Sequence, residues 1–251
     1  MTRNLLVCGL IAGLCAGLLA TGFARIVGEP AVDAAIAFEE STAPPSTGPE
    51  EEPLVTRGVQ SGIGLLTATV VFGLAIGGLF ALAFAFAYGR AGSASPFVTA
   101  LWLAAGAYAV FFLVPFLKYP ANPPAVGNPD TIDRRTALYW VMVAISLAAA
   151  VAALRLRGYL ATRTAPHVAT VISVASFIVI VLIAGLLMPS INEVPEGFPA
   201  VTLWEFRQAT LGMQLVLWAT IGIVFAFLAQ RVMTRSAERS SPRSVPATLE
   251  G

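Results

Sequence analysis

The sequence predicts an all-α membrane protein, a bundle of about six transmembrane helices joined on one side by proline-rich outer loops. Three observations predict it. Charged residues make up 12% of the chain and apolar ones 57%, whereas soluble domains carry about 25% charge. Mean hydropathy is +0.80, more apolar surface than a chain of this length could hide from water. Finally, six apolar runs approach or exceed the roughly 20 residues needed to cross a bilayer: residues 5–23, 62–87, 97–117, 137–154, 168–188 and 209–228. The chain reads as one membrane domain, 1–235, followed by a polar tail, 236–251, expected to be disordered.

The first run follows Arg3 and is longer than the apolar part of a secretion signal. It carries Gly9, Gly13 and Gly17 at a spacing of four, a stripe that lets a neighbouring helix approach closely. It is therefore expected to be retained as a span. Cys8 and Cys15 lie in the same run. Two helical turns separate them by about 10 Å, too far for a disulfide, so they read as small packing residues. The following loop opens with Glu29-Pro30, a favoured helix start. Val32 and Ile36 lie on one face there, with Asp33, Glu39 and Glu40 on others, which predicts a short helix lying at the membrane interface. Residues 41–53 read as a mobile acidic linker. The second run repeats the small-residue theme with Gly73 and Gly77.

Orientation follows the placement of Lys and Arg. With the N-terminus inside, nine basic residues fall in inner segments and six in outer ones, while twelve of the fourteen acidic residues fall outside. Both termini are accordingly expected in the cytoplasm. The second outer loop holds Lys118, Tyr119 and Asn122 among prolines that fix the backbone. It predicts a stiff segment, either a vestibule or a rigid cap. The third brings Asn192 and Glu193 directly after the fifth span, then Trp204 and Phe206 of an aromatic belt. On the sixth span Thr210, Gln214 and Trp218 share a face. The second begins with Gln60 and Ser61, followed by Thr67 and Thr69. These polar atoms predict either a polar pathway or hydrogen bonding between helices. Each outer loop ends in arginine just before the next span: Arg57, Arg135 and Arg207. That echo suggests three helical hairpins in series.

No phosphate-binding loop, catalytic triad or haem motif occurs, and with one histidine, His167, no Cys/His metal site can form. The chain is thus not expected to be an enzyme or to hold a resident cofactor. No basic run interleaved with aromatics suggests nucleic acid. The expected surroundings are lipid and other membrane subunits.

Several segments together resemble one known family. They are Gly28-Glu29-Pro30 with Asp33 and Ala37-Phe38-Glu39-Glu40; Arg57-Gly58-Val59-Gln60; the proline-rich block at 115–127; Asn192-Glu193-Val194-Pro195; Phe198-Pro199-Ala200; and Leu203-Trp204 with Phe206-Arg207. In order and spacing they resemble the CbtA family of bacterial cobalt transporter subunits. The resemblance implies a multi-pass protein of the inner membrane that takes up a divalent metal, cobalt, as a transient cargo. It also implies a small single-span partner of the CbtB type. Members often carry histidines in the first outer loop; here residues 41–53 have none and hold Glu50, Glu51 and Glu52 instead. On this reading Glu39, Glu40 and Glu193 are candidate metal ligands. Gln60, Asn122, Asn192 and Gln214 join them along a cation path, and Arg57, Lys118 and Arg207 are gating or structural charges. The other reading is an accessory subunit of a larger membrane complex that carries nothing itself.

Overall fold

A computed structural model describes residues 2–43, 55–90 and 94–240, with side chains to residue 235. The regular structure of the described residues is helical. The helices are α1 (Thr2–Phe23), α2 (Glu29–Thr42), α3 (Arg57–Val59), α4 (Leu65–Ala87), α5 (Pro96–Ala107), α6 (Val114–Lys118), α7 (Ile132–Ala161), α8 (Pro166–Leu187) and α9 (Ala200–Ser240). They join into six rods long and apolar enough to cross a membrane: Thr2–Thr42, Arg57–Ala87, Pro96–Lys118, Pro129–Ala161, Pro166–Leu187 and Ala200–Arg235. The chain is a membrane protein. Most of the expected acidic linker, residues 44–53, and the end of the expected tail, 241–251, lie outside the described residues; 236–240 continue α9 as helix. With six crossings, segments 119–131 and 188–199 and the far end of α2 share one side, here called the loop side.

The short interfacial helix expected after the first span is not a separate element. The chain stays helical from α1 through a π-helical turn, Ala24–Gly28, into α2. The resulting rod of 41 residues is about 60 Å long at 1.5 Å per residue, twice the roughly 30 Å hydrocarbon core. Pro30 explains the π turn. It has no N–H to donate to Ile26 and its ring crowds that carbonyl, and a wide turn just before it accommodates both faults without ending the helix. Pro115 does the same in the third rod, preceded by the π segment Tyr108–Leu113. There the carbonyl that Pro115 leaves unpaired, Phe111 O, accepts a 3.1 Å hydrogen bond from the Tyr139 hydroxyl. A proline inside a span is tolerated when a neighbouring helix supplies the missing donor, and here that donor also fixes α7 against the third rod.

Rods one, two, three and six form the bundle. α1 and α4 meet glycine to glycine. A Cβ on Gly13 would overlap the Gly73 carbonyl, one on Gly9 would overlap that of Gly77, and one on Gly17 would stand 2.7 Å from Thr69 O. Thr21 and Thr69 close this seam with a 2.6 Å hydroxyl contact. α9 packs on α1 and α5, again over glycines: Gly212 receives the Phe23 ring and Gly222 lies against Ala104. Inside, Leu5, Ala12, Ala16, Phe80, Phe84, Leu217, Ile221 and Phe225 are buried in one apolar cluster. The Phe225 ring meets those of Phe80 and Phe84 edge-on, at 5.1 and 5.0 Å. Gln230 Oε1 accepts a 3.3 Å bond from Phe97 N, capping the start of α5.

The pairing is not three hairpins in series. Rods one and two pair, and rods three and four meet through α6 and the π segment before it. Rods five and six separate, α8 packing on α7 while α9 enters the bundle. α9 carries the small residues and the phenylalanine that fit the core, whereas α8 is rich in branched side chains. Only 6% of α8's most apolar stretch is buried. At the side opposite the loops Arg157 Nε ties α7 to Thr170 of α8 at 3.0 Å.

Candidate functional site

Arg57, Arg135 and Arg207 each tie the loop side together differently. Arg57 reaches back to α2. Its Nη2 pairs with Glu29, and its Nε and Nη2 donate to Asp33 Oδ1 at 3.1 and 2.9 Å. Arg135, in the first turns of α7, pairs through Nε with Glu193 Oε2 at 3.3 Å. Arg207, near the start of α9, donates through Nη2 to Asn122 Oδ1 at 3.2 Å. One arginine thus anchors the α2 projection, one the third loop and one the second loop. Lys118 Nζ and the Tyr119 hydroxyl add bonds to Ser190 Oγ (3.3 Å) and Pro189 O (2.8 Å), joining the ends of rods three and five.

Between these ties the loop side has its own small core, Ala35, Val126 and Phe198, with the Phe38 and Phe198 rings edge-on at 5.0 Å. The proline block delivers Val126 by turning sharply around it. Val126 N donates to Pro123 O, Ala125 takes φ +65° and Gly127 φ +133°. Left-handed backbone is costly for alanine, so this loop is held in a conformation that the surrounding packing enforces. Gly127 is required twice over, since a Cβ there would also stand 2.7 Å from the Arg135 guanidinium.

Above this core a cleft of about 480 Å³ opens. Its lining includes Phe38, Glu39, Pro123, Pro124, Val126, Gly127, Pro129, Ile132, Arg135 and Glu196. Glu193 lies behind it and orders it. Its carboxylate accepts from the Thr131 hydroxyl and from Asn128 N (3.0 Å) while pairing with Arg135. The Thr131 bond above all, then the Asn128 N–H, with a smaller contribution from the Arg135 charge, hold the Glu193 carboxyl below the usual carboxylate range.

The expected site residues divide. Glu39 lines the cleft and Glu193 buttresses it. Glu40 is exposed and Asn192 bonds only its own turn, at Val194 N. Asn122 is engaged by Arg207. Gln60 is exposed, its amide donating to Val55 O, and the side chain of half-buried Gln214 has no hydrogen-bond partner among the described residues. The expected polar path along Gln60 and Gln214 is therefore not continuous, because the bundle interior between those rods is filled by alanine, leucine and phenylalanine. Nor do Glu39, Glu40 and Glu193 make a metal centre: among the described residues no three His, Cys, Asp or Glu gather to hold an ion. The Glu193 oxygens are already occupied by Asn128, Thr131 and Arg135.

Arg135, Glu196 and Gly127 were not singled out as site residues from the sequence, although the arginine recurring just before alternate spans was a signal for the first. Glycine after a proline run was a weaker signal for the third. For Glu196 no sequence signal separates it from other loop acids.

Among curated proteins and among solved structures nothing matches the chain. A family model does, over residues 2–230, and its description is "probable cobalt transporter subunit". With that match covering nearly the whole chain, the six-rod membrane protein with its laced loop side belongs to the CbtA family.

Proposed function

We propose that this chain is the membrane-spanning subunit of a divalent-cation uptake system of the bacterial inner membrane, with cobalt as cargo. Both termini face the cytoplasm, so the loop side faces out. The observation that carries the reading is the cleft, where Glu39 and Glu196 stand at the loop-side mouth of a chain from a transporter-subunit family. Carboxylates at a concave mouth raise the local cation concentration. Since the bundle core is apolar and filled, the crossing is assigned to the seam between the bundle and the α7–α8 hairpin. Repeats or bundles that rock against each other are a common transport device.

Purified protein in proteoliposomes, with and without a single-span CbtB-type subunit, is expected to accumulate cobalt. Replacing Glu39 and Glu196 together by Gln is expected to lower uptake at low cobalt about fivefold or more, an effect that salt weakens. Absence of uptake under every condition would defeat the reading. Orientation has its own test: a reporter fused after Gly251 should be accessible from the cytoplasm, and periplasmic accessibility would invert the assignment.

A second reading, an accessory subunit that carries nothing, is favoured by one observation: α8 is apolar along its length and nearly unburied in this chain. Cobalt uptake by the chain without any partner would count against it.

A further inference from the structure

The cleft has room for something larger than an ion. Its volume of about 480 Å³ falls in the range of small-molecule sites, about 300–1,000 Å³. Phe38, Pro123, Pro124, Pro129 and Val126 supply hydrocarbon walls, which have no ligand atom for a metal but stabilise an organic skeleton. The polar groups are few and placed. Arg135 pairs with Glu193 through Nε at 3.3 Å, a charge contact that leaves the buried Nε without a hydrogen-bond partner, and its guanidinium lies against Gly127. Its one ion pair among the described residues uses Nε, which leaves Nη1 and Nη2 open. A guanidinium placed by an ion pair at Nε, with both outer nitrogens open, is a fork for a carboxylate. Glu39 and Glu196 line the same cleft. Because Arg135 is neutralised by Glu193, they leave the cleft net negative, which disfavours an anionic ligand and favours one with a positive centre.

We propose that the cleft binds a divalent cation already chelated by an amino acid, with the ligand's carboxylate on the Arg135 fork and its positively charged metal centre toward Glu39 and Glu196. Such a complex is positive with one amino acid bound and neutral with two, so it meets both demands. The naming of the metal rests on the transport reading above; the carboxylate-and-cation chemistry rests on the cleft. No direct coordination of the metal by three protein carboxylates is needed, in keeping with the dispersed positions of Glu39, Glu40 and Glu193.

Full-length protein purified in detergent is titrated calorimetrically under argon with cobalt(II) chloride, with L-histidine, and with the preformed cobalt(II)–histidine complex. The complex is expected to bind roughly tenfold or more tightly than the bare ion, and Arg135→Lys, which keeps the charge but loses the fork, to weaken it about tenfold. Arg135→Lys also touches the tie to Glu193, so a second variant is used. Ile132→Trp fills the cleft from an exposed position in the first turn of α7 and removes no hydrogen bond. It should abolish binding of the complex while leaving the thermal midpoint unchanged. The proposal is overturned if bare cobalt binds as tightly as the complex, if the complex does not bind, or if Ile132→Trp binds it normally. Uptake measured in parallel separates the two readings. Cobalt taken up with no binding of the complex would defeat this proposal and spare transport. Complex bound in the cleft with no uptake in either form would uphold it and defeat transport.

Discussion

Gly13→Leu is expected to abolish the folded bundle. Gly13 faces Gly73 so closely that even a Cβ would overlap the Gly73 carbonyl and press on Leu74 Cα at 3.1 Å. Those atoms are backbone and cannot rotate away, so the helices must separate along the whole seam from Gly9–Gly77 to Gly17–Thr69. Overpacking a core usually costs about 1–3 kcal/mol; with a rigid neighbour and a leucine side chain the loss is expected to exceed about 4 kcal/mol, the exceptional end for one substitution. Gly13→Ala should cost less, about 1–3 kcal/mol. Gly22→Ala is the control on the same helix. Nothing lies within 4 Å of its added Cβ, so it should be neutral or stabilise by up to about 1 kcal/mol through helix propensity. Thermal melting in detergent reads all three. A folded Gly13→Leu with an unchanged midpoint would show that the seam does not run through Gly13.

Replacing Glu193 is the second large expected effect. One carboxylate joins the start of α7, the end of the proline block and the third loop, so its loss unfastens the loop side as a unit. Glu193→Gln keeps one acceptor oxygen but leaves the half-buried Arg135 without its counter-charge. Protection of residues 119–131 and 188–199 from protease is expected to fall at neutral pH, while rods one, two and six remain protected. The effect has a pH signature. The Glu193 carboxyl sits below its ordinary value in the folded protein. Its stabilisation is therefore complete above the ordinary carboxylate pKa and is lost as pH falls through the lowered folded value. The wild type should hold its loops down to about pH 4 and lose protection below that. Glu193→Gln should be loosened at every pH and lack that acid step. Identical acid profiles for the two proteins would exclude Glu193 as the fastener.

Much of the fold was legible in the chain. Six spans follow from run length and composition, since a helix is the only way an isolated segment can satisfy its backbone in lipid. The stripes Gly9–Gly13–Gly17 and Gly73–Gly77 were visible as surfaces for close approach, and the arginines ending each outer loop were visible as a recurring feature. The site was less legible. Glu39, Asn122 and Glu193 were found because polar groups near loop ends are few, but their roles were not. Glu193 reads in the sequence as a free carboxylate at a membrane surface and in the structure accepts two hydrogen bonds and pairs with Arg135. Gln60 and Gln214 suggested a polar path because each carries an amide at or inside a span; in the structure Gln60 is exposed and alanine, leucine and phenylalanine fill the bundle interior.

The sequence by itself determined which segments cross, their alternation, and where helix may approach helix, because those depend on local length, polarity and residue size. Only the tertiary structure decided that the first glycine stripe meets the second, that Pro30 is absorbed within a continuous rod, that Arg135 lines a cleft, and that α8 stays outside the bundle. The physical reason is that a bilayer rewards an apolar face equally whether lipid or protein covers it. Hydrophobic pattern therefore cannot say which helix faces which. That choice is made by close backbone contact and by a few charged ties between residues far apart in the chain.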